Sequence, residues 1–340
     1  MTAWFYRLAL VATILALVVV VLGAYVRLTH AGLGCPDWPG CYGQLGAPDS
    51  SEEIAAAESE FAGAEIDSGK AWREMIHRYF AGTLGLLILA LAVIAWRNRY
   101  ALGQQVVLPI LLVVLVVFQA ALGMWTVTLL LQPVIVTLHL LMGMLTLALL
   151  WWMTLRAGHS GPTYTARPAT MSLRGLALGG ALVVYLQIAL GGWVSTNYAA
   201  LHCPDFPTCQ QQWWPSTDFA GAFRVLGEPG VNYEGGQLSL DQGVTVHLVH
   251  RLGAVVTLFY LAMLGFLTWT RGADATRRTG TAMLALLAAQ IALGIANVIL
   301  VLPLSVAVAH NAGAALLLLS LVTLNLVVRS HQVSIYHSGG

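Results

Sequence analysis

Lysine is almost missing from this chain: of sixteen basic residues only Lys70 is lysine, and the rest are arginine. Charge of either sign is scarce, at 9% of residues, and it nearly cancels to a net +1. Without a basic surplus there is no electrostatic footprint for nucleic acid. With 58% hydrophobic residues and a mean hydropathy of +0.76, the chain lies far outside the range of water-soluble domains. It reads as an integral membrane protein, in contact with membrane lipid. Cysteine is also sparse, with four residues and no Cys-x2-Cys pair of the kind zinc sites favour.

Eight stretches are apolar and long enough to cross a hydrocarbon core of about 30 Å. They lie near 8–28, 76–96, 106–130, 134–155, 174–196, 246–269, 280–302 and 304–328. Tight joints near Pro133 and Pro303 make the last two stretches of each half a helical hairpin. Arg7 precedes the first stretch in the manner of a secretion signal, but no small-residue cleavage site follows, so a retained helix is expected. Arg7, Arg97, Arg99, Arg156, Arg167, Arg174, Arg271, Arg277, Arg278 and Arg329 all fall on one side of these spans. Glu52, Glu53, Glu58, Glu60, Glu65, Asp67, Asp205, Asp218, Glu228, Glu234 and Asp241 fall on the other. The positive-inside rule then places both termini in the cytoplasm of a bacterial-type inner membrane, with the acidic loops outside.

The halves are a repeat. Leu22-Gly23-Ala24-Tyr25-Val26 and Cys35-Pro36-Asp37-Trp38-Pro39-Gly40-Cys41 return as Leu190-Gly191-Gly192-Trp193-Val194 and Cys203-Pro204-Asp205-Phe206-Pro207-Thr208-Cys209, at one offset of 168 residues. Gln119 to Gly123 returns as Gln290 to Gly294. Four helices per half put both copies in the membrane the same way up. The expected fold is an all-α membrane protein of eight transmembrane helices, arranged as two pseudo-symmetric four-helix bundles, a parallel repeat about an axis along the membrane normal. Its parts are a bundle at 1–156 with an external loop at 29–73, a cytoplasmic linker at 157–173, and a bundle at 174–340 with an external loop at 197–245. The glycines of the Leu-Gly pairs are expected to permit close helix approach or to seat a flat ring.

Histidine inside a span is costly and marks a bundle-interior role. His77, His139, His250 and His310 open the second, fourth, sixth and eighth stretches at matched repeat positions. Each pair, at equal depth on two helices of one bundle, can ligate a haem iron from both sides; a hydrogen bond to a neighbouring helix is the plainer role for any one of them. Glu74 precedes His77 by one turn and shares its face, while His247 stands in its place in the echo and is itself an alternative ligand to His250. A carboxylate there can move protons or offset positive charge, or simply suit the positive end of a helix. A di-iron centre would need more glutamates than Glu74. Arg78 and Arg251 follow the proposed ligands and are candidate partners for haem propionates, with snorkelling to the interface the alternative. The Cys35–Cys41 and Cys203–Cys209 pairs suit external disulfides, with a structural or a redox role open for the first. His30 and His202 nearby keep a metal site in view.

These motifs, Gly32 to Cys41, Glu74-Met75-Ile76-His77-Arg78, Val246 to Arg251, and single histidines leading two further helices, resemble the haem A synthase family over about residues 8–328. The resemblance implies conversion of haem O to haem A for the terminal oxidase, by oxidation of a ring methyl to a formyl. It implies haem b (protohaem IX) held by His250 and His310, substrate haem O flanked by His77 and His139, Glu74 as the required glutamate, and Cys35 and Cys41 as the first-loop pair. Haem O synthase and oxidase-assembly proteins are the implied partners, and a homo-oligomer is compatible. The residues themselves leave a rival, a bis-histidine di-haem electron-transfer cytochrome b. A quinone-linked disulfide oxidoreductase would leave the four histidines without a role, and a haem transporter would make no oxidised product.

Overall fold

The computed structural model describes residues 3–61, 66–101, 105–158, 171–228 and 230–333. Glu65, Arg167 and most of the linker 157–173 lie outside the described residues. The described chain is all helical: α1 (Ala3–Leu28), α2 (Ser51–Glu60), α3 (Ser68–Arg97), α4 (Val107–Thr128), α5 (Pro133–Gly158), α6 (Met171–Thr196), a 3-10 turn (Ala199–Leu201), α7 (Phe219–Ala222), α8 (Leu240–Arg271), α9 (Asp274–Ile299) and α10 (Leu304–Val333). Eight of these helices, all but α2 and α7, are long and apolar enough to cross a membrane.

Two of them begin well before their apolar runs. α3 starts at Ser68 because the Asp67 carboxylate accepts the Lys70 N–H at 3.0 Å. α8 starts at Leu240 behind a capping box of Ser239 and Gln242. Caps of this kind satisfy the first orphan N–H groups, so a polar segment can extend an apolar helix outward. The histidines therefore do not open their helices. At 30 and 32 residues α3 and α8 reach beyond the hydrocarbon core, and His77 and His250 lie about three turns inside them.

Contacts run α1 to α3, α3 to α4, α4 to α5 and α5 back to α1; the same ring recurs as α6, α8, α9 and α10. Across the halves α1 touches α10, α5 touches α6, and α5 touches α10. The α4–α5 and α9–α10 hairpins close on consecutive left-handed residues, Leu130 and Leu131 in one and Val301 and Leu302 in the other. In each, the second residue sends its N–H back to a helix carbonyl, Leu131 to Thr126 at 2.8 Å and Leu302 to Asn297 at 2.7 Å. Pro133 takes the first position of α5, where a missing N–H costs nothing.

In lipid, apolar faces gain little by meeting, so close packing and interhelical hydrogen bonds must hold the helices together. Ala9, Ala12 and Ala16 are fully buried on α1, and Thr13 and Thr154 share a 2.9 Å hydrogen bond between α1 and α5. Trp151 Nε1 donates to Thr323 Oγ1 at 2.9 Å across the halves. Asn325 donates to the Ala177 carbonyl, joining α10 to α6.

Candidate functional site

The structure places each proposed pair on helices that are not packed neighbours, α3 with α5 and α8 with α10, which stand opposite one another in their rings of contacts. All four histidines line one continuous cavity of about 2030 Å³. That is roughly twice the upper size of an ordinary small-molecule site, and both of the histidine pairs expected from the sequence line it. Its walls are largely apolar, with Val113, Val116 and Leu140 on the first side and Leu258, Leu287 and Ile291 on the second.

Each imidazole lies on a glycine of a neighbouring helix. A Cβ at Gly23 would stand 3.1 Å from His77 Cε1, at Gly123 3.4 Å from His139, at Gly191 3.1 Å from His250, and at Gly294 3.1 Å from His310. The flat ring these glycines seat is the imidazole itself. The sequence signal was present, since Gly23 and Gly191 belong to one repeated block and Gly123 and Gly294 to another, but it did not say which ring they carry.

Second contacts differ between the halves. The Gln187 amide nitrogen is 3.0 Å from His250 Nδ1 and 3.0 Å from its carbonyl, and the Gln290 amide nitrogen is 3.4 Å from His310 Nε2. In the first half Gln119 reaches only the His139 carbonyl, at 2.8 Å; Nδ1 is buried without a partner in His77 and His139, and also in His310 of the second half. Gln187 went unnoticed in the sequence because its repeat counterpart is Val19, so no echo marks it.

Glu74 is 5% exposed and lines the cavity. Its Oε2 accepts the Cys35 N–H at 3.0 Å and its Oε1 accepts from Arg78 Nη2 at 2.6 Å. It lies in the second turn of α3, beyond the first-turn position where an acid serves the helix dipole. His247 occupies the corresponding place in α8, buried, with Nε2 3.3 Å from Arg251 Nε; it lies outside the cavity lining, whereas His250 is part of it.

Arg78 donates to the carbonyls of Asp37 at 3.0 Å, Pro39 at 3.4 Å and Gly40. Arg251 donates to those of Cys203 at 3.0 Å, Asp205 at 2.8 Å and Thr208 at 2.8 Å. Both guanidinium groups thus pin an interhelical loop to its helix. Each loop carries a disulfide, Cys35–Cys41 with Cα atoms 4.8 Å apart and Cys203–Cys209 with 4.6 Å, and each has a two-residue bridge, Cys41 with Gln44 and Cys209 with Gln212. The loop aspartates close the turns: Asp37 accepts from the N–H groups of Tyr42 at 2.6 Å and Gly43 at 2.8 Å. Asp205 accepts from the Thr208 hydroxyl and the Gln211 N–H, which hold its carboxyl below the usual range. With their sulfurs bonded to each other these cysteines are not zinc ligands; His30 stacks on Tyr198 and His202 packs over Gly243.

Among the described residues no group of three or more His, Cys, Asp and Glu converges as a bare metal ion would require. Two half-buried imidazoles on the walls of one apolar cavity, each seated on glycine, fit a metal whose other positions are filled by a planar macrocycle. The donor set and the unpartnered ring nitrogens therefore fit a haem in each pair.

Residues 6–322 match the model of a family described as "Cytochrome oxidase assembly protein". The chain is 42% identical over 322 residues to a protein named Heme A synthase from Shewanella oneidensis, covering 95% of each. Proteins of the same name from Shouchella clausii and Halalkalibacterium halodurans are 25% identical over 78% of this chain and 75% of that relative, and 27% identical over 74% and 72%. Eight membrane-length helices, matched histidine pairs and a family match across nearly the whole chain agree: the protein belongs to the family of cytochrome oxidase assembly proteins.

Proposed function

We propose that this protein is a haem A synthase, a haem-dependent membrane oxidoreductase that oxidises a ring methyl of haem O to the formyl of haem A for terminal oxidase biogenesis. The observation that carries the reading is the pairing of four cavity-lining histidines on glycine seats, in a chain 42% identical to a protein of that name. His250 and His310 are the proposed axial ligands of a resident haem b, and His77 and His139 flank the substrate. A bound haem b would supply one-electron redox chemistry beside the substrate chamber.

The division of labour follows from the second contacts. Glutamine amide nitrogens lie against ring nitrogens of the second pair, Gln187 at His250 Nδ1 and Gln290 at His310 Nε2, and against neither ring of the first pair, so side chains that the first half lacks orient the imidazoles of the second. The second half suits a retained group and the first an exchanging one. On α3, Gly82 and Gly85 occupy the positions of Val255 and Leu258 on α8 and leave the first chamber wall thinner. Glu74 lies one helical turn from His77 at the chamber edge, where a carboxylate can take up a proton or offset positive charge that develops on the substrate's methyl carbon.

The halves are read as two four-helix bundles related by an axis along the membrane normal, with substrate chemistry in 1–156 and the resident haem in 174–340. The arginine-rich helix ends face the cytoplasm across an inner membrane, and both disulfide loops lie outside. Haem O synthase and oxidase assembly proteins are the proposed partners. Pigment extracted from cells that make this chain together with haem O should contain haem A; an extract holding haem O alone, from cells with folded protein, defeats the proposal.

The glycine seats carry their own prediction. Valine at Gly191 must displace His250, and overpacking of this kind costs about 1–3 kcal/mol, or roughly five- to 150-fold in binding. Gly191→Val should therefore weaken the hold on resident haem by about five-fold or more. Gly175→Val, on the same helix where a Cβ meets nothing within 4 Å, should not change it. Absorbance of the purified proteins, scaled to protein concentration, makes the comparison.

A further inference from the structure

We infer that Arg27, a residue of the first half, forms with Tyr198 a carboxylate-binding position on the outer rim of the second chamber, so that the macrocycle held by His250 and His310 is gripped through an acid side chain by the opposite half. The inference rests on the two-histidine reading of that chamber and adds a residue to it.

Arg27 lies one helical turn beyond Gly23, the seat of His77, and its repeat counterpart Ser195 lies one turn beyond Gly191, the seat of His250. These counterparts touch, 168 residues apart: Arg27 Nη2 donates to the Ser195 carbonyl. The next counterparts touch as well, His30 stacking on Tyr198 with ring centroids 5.4 Å apart. Arg27 therefore stands where the halves meet, and its guanidinium lies on the second-half side, 3.8 Å from the centre of the Tyr198 ring. Arg27, His30, Ser195 and Tyr198 all line the cavity.

Two features of this cluster ask for a ligand. Among the described residues no carboxylate lies within salt-bridge distance of Arg27, and Glu234 acts on it only from farther off, although arginine inside a membrane protein ordinarily has a direct partner. The Tyr198 hydroxyl is buried and meets no polar group but the Arg27 guanidinium, and Tyr198 is held at a left-handed φ of 55° that a bulky residue rarely adopts. A carboxylate would take charge-assisted bonds from the guanidinium and accept from the hydroxyl. Arg78 and Arg251, the arginines next to the histidines, are already engaged with loop carbonyls. The plainer role for Arg27 is to satisfy the last carbonyls of α6, and that role predicts no preference for an acidic ligand.

The test uses the full-length protein, purified from cells that cannot make haem and titrated with iron protoporphyrin IX and with its dimethyl ester, followed by the low-spin absorbance band. Hydrogen bonds to charged groups are strong enough that the wild-type protein should favour the diacid by about ten-fold or more. Arg27→Gln should bring the two affinities together by weakening the diacid alone, and Arg27→Lys should retain part of the preference. Tyr198→Phe, which removes only the hydroxyl, should shrink the preference and leave the ester's affinity unchanged. An Arg27→Gln protein that keeps the wild-type preference, or a wild-type protein that binds both probes equally, overturns the inference and leaves the two-histidine site standing. A wild-type protein that binds neither overturns both.

Discussion

Glu74→Gln should leave the haem b of the second half in place and cut haem A formation by about a hundred-fold or more, the scale of a lost acid–base group. The substitution also weakens a clamp. Glu74 and Arg78 form a buried ion pair, with side chains 7% and 13% exposed, and removing one partner of such a pair costs roughly 3–5 kcal/mol. An amide in place of the carboxylate also turns a donor toward the Cys35 N–H or toward Arg78. Part of any loss could thus come from a loosened first loop, which is why haem A must be counted per haem b-loaded protein. Arg78→Gln separates the two effects, since it breaks the same ion pair and frees the same loop while leaving the carboxylate beside His77. If Glu74 acts on the substrate, Glu74→Gln loses far more turnover than Arg78→Gln, and haem O or a hydroxylated intermediate builds up in the protein. Equal losses in the two variants, or near-normal haem A from Glu74→Gln, would reduce Glu74 to a fastening for the loop.

His250→Ala and His310→Ala should each abolish the low-spin haem b spectrum, whereas His77→Ala and His139→Ala should keep most of it and lose haem A formation. The contrast comes from the glutamines, which meet the rings of one pair and not those of the other. A ligand fixed in orientation binds its metal without first giving up rotational freedom. Because all four histidines open on one cavity, the spectra should be recorded on protein made without haem O, so that no substrate in the first chamber adds to the signal. Loss of the haem b band from His77→Ala together with its survival in His250→Ala would reverse the assignment of the halves.

The fold class was legible because its signals are long and repeated: apolar runs, one 168-residue offset and histidines too costly to be scattered at random. The helix starts were not, because a capped polar segment such as Ser68 to Arg73 has no apolar period and its helicity depends on Asp67 and on packing under the loop. The candidate site was half legible. Histidines and glycines stand in the repeat and can be paired by eye, but Gln187 breaks the repeat and Arg27 shows itself only where the halves touch. Arg78 and Arg251 illustrate another limit. Their neighbours in sequence suggest a propionate, but their bonds go to carbonyls of irregular loops, and a backbone acceptor leaves no trace in residue identity. The left-handed pairs Leu130–Leu131 and Val301–Leu302 are equally silent, since neither carries the glycine or asparagine that usually marks such a turn.

The contacts of α10 bear on how the protein is made. α10 packs on α6 and α9 of its own ring and also on α1 and α5, the first and last spans of the other, and it brings His310 with it. Spans are threaded into a bilayer in chain order, so the wall between the halves stays unfinished until this eighth span arrives. The second ring stays open without it, since α10 is what joins α9 back to α6. A chain that stops before Leu304 lacks that wall and holds three of the four cavity histidines, His77, His139 and His250.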